Sequence, residues 1–148
     1  MSSSWSPRHD LMYLMLSVGV ADGRFSPSAQ RALKSQLDEF FPKAAPRKLL
    51  SLSKAARERM QSAANGVAFL KQFQESAKRL HAGNPDRPER RARILKALRA
   101  IAYAEGTDMV DGKALLLLRS AVGQLEMNKA VRFKAGEDGF VMQIKKVA

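Results

Sequence analysis

The sequence predicts an all-α fold, a compact bundle of about six or seven helices with an internal pseudo-two-fold repeat and a short C-terminal β-hairpin. Three observations carry this. The stretch Leu11 to Gly23 reappears in pattern as Ile94 to Gly106, 83 positions later. Around the copies, apolar residues recur at three–four spacing as far as Leu125. Beyond Val131 the period drops to two.

In the repeat, apolar matches apolar at Leu11/Ile94, Met12/Leu95, Leu14/Ala97, Met15/Leu98 and Val18/Ile101. Each copy ends in Ala, an acid and Gly: Ala21-Asp22-Gly23 and Ala104-Glu105-Gly106. The second loop is two residues longer, so the match resumes at a shift of 85, with Leu33, Leu37 and Phe40 on Leu118, Val122 and Leu125. Two units are too few for a solenoid, so a closed bundle is expected.

The elements follow in order. Asp10 to Val20 is apolar almost all round, the pattern of a surrounded central helix. Trp5, in the leader before it, is a candidate to dock on the bundle. Ser26-Pro27 supplies an N-cap and a first-turn proline for a second helix that buries Leu33, Leu37, Phe40 and Phe41 and stops at Pro42. Pro46 opens a third, with Leu49, Leu52, Ser53, Ala56 and Met60 inward and Arg47, Lys48, Lys54, Arg57 and Arg59 outward. A fourth carries Ala63, Val67, Leu70, Phe73, Ala77 and Leu80 on its inner face and breaks at Gly83-Asn84-Pro85. A fifth begins at Asp86 or Pro88, with Arg90, Arg91, Arg93, Lys96 and Arg99 opposing Ile94, Leu98 and Ile101. Asp111 is a candidate N-cap for the last helix, which buries Leu115, Leu118, Val122 and Leu125. In the tail, Glu137-Asp138-Gly139 reads as a hairpin turn.

At 148 residues the chain is expected to be one domain: repeat 1 over 10–42, basic connecting helices over 43–87, repeat 2 over 88–128 and the hairpin over 129–148. The lack of cysteine excludes a disulfide framework and thiolate catalysis. No stretch approaches the ~18 apolar residues of a membrane span. Arg8 before the apolar run resembles a signal peptide, but the same run recurs mid-chain and Asp10 spoils the positive flank. A cytoplasmic protein is expected, with peripheral attachment to a membrane left open.

The net charge of +12 is concentrated. Residues 43–99 hold 15 basic and 4 acidic side chains, whereas 1–42 balance and 100–148 are net +1. Convergence of these cations on one face would suit phosphates or acidic side chains. The candidate partner-binding residues are Arg47, Lys48, Lys54, Arg57, Arg87, Arg90, Arg91, Arg93 and Lys96. No Tyr or Trp interleaves with them for base stacking.

The acid–Gly turns have two readings. Gly can serve as a helix C-cap with the acid ordering the loop. Alternatively, Asp22, Glu105, Asp108 and Asp111 approach one another across the pseudo-symmetry and hold a hard cation. No cofactor signature is present, and a divalent cation is the one candidate. His9 and His81 stand alone, with no linked nucleophile and acid, so no enzyme is expected.

The apolar helix, Ala21-Asp22-Gly23, short loop and Ser26-Pro27 resemble the tellurite-resistance TerB-like family over most of the chain, through about residue 128. The resemblance implies an all-helical domain with two Asp-Gly units, associated with stress response, membrane-associated complexes and, in some members, metal ions. By matched position, Asp22 and Glu105 would be the characteristic loop acids. The chain departs where Ser28 and Ala29 follow Pro27 in place of an acid, and where Glu105 replaces Asp. The expected function is a non-enzymatic interaction module that presents a basic face to an acidic or phosphate-bearing partner. Sequence-independent nucleic-acid binding, binding to an anionic membrane surface and metal-dependent sensing are the alternatives.

Overall fold

Proline stands at the first position of four helices, where its missing N–H costs nothing and its fixed φ is already helical. The computed structural model describes residues 5–21, 25–83, 86–104, 112–125, 129–136 and 139–146. Its helices are α1 (Pro7–Gly19), α2 (Pro27–Phe40), α3 (Pro46–Ser62), α4 (Gly66–Ala82), α5 (Pro88–Ala102) and α6 (Gly112–Leu125). The last sixteen described residues form β1 (Lys129–Gly136) and β2 (Gly139–Lys146), paired antiparallel with Gly136 opposite Gly139. Glu137 and Asp138 of the expected turn lie outside the described residues, as does the candidate cap Asp111.

Helix α1 is the axis of the bundle. Every residue from Asp10 to Gly19 is buried, because α3, α4, α5, α2 and α6 all pack on it. The repeat is legible in this packing: α2 touches α5, and its counterpart α6 touches α1. Five matched pairs, Leu11/Ile94, Leu14/Ala97, Met15/Leu98, Val18/Ile101 and Leu33/Leu118, are buried in both copies. Leu95, Val122 and Phe40, by contrast, are half-buried where their matches Met12, Leu37 and Leu125 are buried. Close packing at Gly19 separates the copies. A Cβ there would stand 3.1 Å from the Phe25 ring, whereas the matched residue of repeat 2 is Ala102.

Side-chain caps set three of the helix starts. The Ser26 hydroxyl accepts from the Ala29 N–H at 3.1 Å and starts α2. Helix α1 begins at Pro7, earlier than the apolar run, because Ser6 and His9 form a capping box. The start of α4 corrects the sequence reading. The Asn65 carboxamide caps the Ala68 N–H at 2.9 Å, so Ala63 is the C-cap of α3, and Val67 in the first turn of α4 is 79% exposed. Among the described residues, no helix is long and apolar enough to cross a membrane.

Candidate interaction surface

The outer face of α3 carries a continuous polar stripe with one apolar residue in it. Arg47, Leu50, Lys54 and Arg57 lie at i, i+3, i+7 and i+10, directly opposite the buried Leu52 and Ala56. All four are exposed, and Leu50 is 71% exposed. Glu58 lies alongside, yet neither Lys54 nor any other of these cations pairs with a carboxylate among the described residues. Sequence reasoning identified the three cations and missed Leu50. The missed signal was an apolar residue out of phase with the buried face.

Lys48 is also exposed, but it points about 100° away from Arg47, toward the α2–α3 turn. On α5, Arg90, Arg93 and Lys96 are exposed, and Arg87 is exposed at the N-cap position. Helices α3 and α5 both pack on α1 but not extensively on each other, so the predicted cations are carried by two separate helices. Arg93 is already engaged by the end of α2: its Nη2 donates to the Glu39 carbonyl at 3.1 Å, and its guanidinium sits 4.6 Å from the Phe40 ring centroid.

Arg91 departs from the expectation. It is 5% exposed, and its Nε donates to the Leu125 carbonyl at 2.8 Å. That carbonyl belongs to the final turn of α6, where backbone acceptors lack helical partners and the dipole favours a cation. Arg91 is therefore part of the α5–α6 junction and not of a partner-binding face. Arg59 also moves inward. It is half-buried, with its guanidinium 5.2 Å from the Trp5 ring centroid.

A buried polar cluster ties Trp5 and the start of α1 to α4. The Asp10 carboxylate is 2% exposed and receives Arg79 Nη2 at 2.8 Å, Arg79 Nε at 3.1 Å and Trp5 Nε1 at 2.8 Å. The hydrogen bond to Asp10 raises the Arg79 guanidinium further, against the opposing effect of burial. Trp5 rests on His9 and edge-on to Tyr13. The Tyr13 hydroxyl donates to Gln72 Oε1 at 2.7 Å, and burial pushes its phenol up to about 12. His9 Nδ1 accepts the Ser6 backbone N–H at 3.0 Å, and burial together with the Lys48 charge lowers its pKa. These groups satisfy one another. Asp22, Glu105, Asp108 and Asp111, the candidate cation ligands, lie outside the described residues.

Two matched helix pairs, the first of which supplies the buried axial helix α1, together with exposed cations on α3 and α5, define a helical-bundle protein. A family model for tellurite resistance protein TerB matches residues 8–135, and the chain belongs to that family. The match runs past residue 128 into β1. No curated protein and no solved structure matches the chain.

Proposed function

We propose that the protein is a non-enzymatic interaction module that uses the α3 stripe to dock an acidic protein partner. Leu50, exposed amid Arg47, Lys54 and Arg57, is the observation that carries this reading. An apolar anchor flanked along its helix by charges resembles the core-and-rim arrangement of protein interfaces. The surrounding cations would steer an acidic surface and fix its orientation. His9 has a capping role, since its Nδ1 is bonded to Ser6. On this reading the bundle is a cytoplasmic stress-response scaffold.

The test is affinity capture from the native extract with the full chain, followed by identification of retained proteins. One acidic protein should be retained, and Leu50→Asp or the triple change Arg47→Glu/Lys54→Glu/Arg57→Glu should release it. Retention of that protein by both variants would refute the proposal. Nucleic-acid binding is the competing reading, because the same cations could face phosphates. It predicts affinity for duplex DNA that falls with a log–log salt slope of about −0.9 per phosphate contact and is indifferent to Leu50→Ala.

A further inference from the structure

The α2–α3 turn walls a cleft of about 540 Å³ that the α3 stripe does not include. Three cations from three elements line it: Arg8 from the first turn of α1, Lys43 from the turn, and Lys48 from the first turn of α3. Phe40 and Phe41 supply apolar walls, and no carboxylate is among the lining residues. The neighbouring acids are committed elsewhere. Asp10 is held by Arg79 and Trp5, and the Glu39 carboxylate faces Arg93 at 3.9 Å. Arg8, Lys43 and Lys48 form no ion pair among the described residues.

Like charges gathered at a concave, partly apolar wall focus a positive potential and repel one another until an anion enters. Arg offers a planar fork and Lys a compact point charge, a pairing that suits the several oxygens of a phosphate better than one carboxylate. The field of Lys48 is felt nearby: after burial, it is the second cause of the lowered His9 pKa.

We infer that the cleft bounded by Arg8, Lys43 and Lys48 is a binding site for a multiply charged phosphate group of the pyrophosphate or phosphomonoester class. The site is independent of the stripe of Arg47, Leu50, Lys54 and Arg57, so either can fail while the other stands. A free anion and a lipid headgroup both present this chemistry, and the experiment separates them.

The full chain is titrated with inorganic pyrophosphate while the His9 ring and the backbone amides of 40–48 are followed by NMR. A second arm measures flotation with vesicles of phosphatidylcholine with and without phosphatidic acid. Saturable shifts confined to the cleft, with a rise in the His9 pKa as Lys48 is neutralised, would establish the site. Binding should weaken at least about tenfold in Lys43→Ala/Lys48→Ala and stay unchanged in Lys54→Ala. Both cleft lysines are exposed, so the double variant should fold. Flotation that needs phosphatidic acid and both lysines, without a pyrophosphate response, would assign the phosphate to a lipid. An equal response to sulfate, binding that survives the double variant, or no response in either arm would overturn the inference.

Discussion

Arg79 grips Asp10 with two nitrogens across 69 residues of sequence, bolting the end of α4 to the start of α1. The partners are unequally buried: the Asp10 side chain is 3% exposed and the Arg79 side chain 44%. Removing either therefore has a different consequence, because only one would leave a charge stranded away from water.

Arg79→Met should be the costlier change. It leaves the Asp10 carboxylate buried with Trp5 as its remaining side-chain donor, a loss of about 3 kcal/mol. Asp10→Asn frees Arg79 to turn toward solvent and should cost about 1–2 kcal/mol. Urea unfolding of both single variants and the double variant measures the order. Equal costs would show that the pair is not desolvated.

Neighbouring arginines on α5 should behave differently. Arg91→Ala removes the donor to the last turn of α6 and should lower stability by about 2 kcal/mol. Lys96→Ala, at an exposed position on the same helix, should change stability by no more than about 0.5 kcal/mol. Chemical denaturation would decide between this assignment and an outward-facing Arg91.

On α3 the contrast lies between two leucines. Leu52 is 1% exposed, so Leu52→Ala should cost about 2–5 kcal/mol. Leu50→Asp should cost less than about 0.5 kcal/mol, leaving any binding defect free of unfolding. Melting curves of both variants test the orientation of the helix.

Tyr13 sets an alkaline limit. Its phenol rises from 10.0 to about 12 on folding, so the folded state favours the neutral form. The resulting stability is complete below the unfolded pKa and is lost as pH climbs from about 10 to about 12. Tyr13→Phe should abolish this alkaline loss while costing about 1 kcal/mol at neutral pH through the missing bond to Gln72. Phenolate absorbance in a Tyr103→Phe background reports the titration directly.

His9 behaves in the opposite sense. Its pKa is lowered from 6.5 by burial and then by Lys48, with Asp10 opposing. The stability it contributes is present above the unfolded value and lost as pH falls through the lower folded one. Lys48→Met should raise the His9 pKa, as read by ring-proton NMR. No movement would mean that burial alone sets it.

Helix number, the paired repeats, the proline starts and the buried first helix were legible in the residues, because periodicity and caps act within a few positions. The family likeness at Ala21-Asp22-Gly23 and Ser26-Pro27 was legible for the same reason, and the family match bears it out. Pattern could not assign partners across the chain. Arg91 reads as one more surface cation until the end of α6 arrives beside it, and Asp10 reads as a flanking acid until Arg79 meets it. Val67 fits the apolar phase of its helix, yet it falls in a first turn that the described residues leave exposed. Whether the cations of residues 43–99 share a face depends on how α3 and α5 sit around α1, and that arrangement follows from packing between segments far apart in sequence.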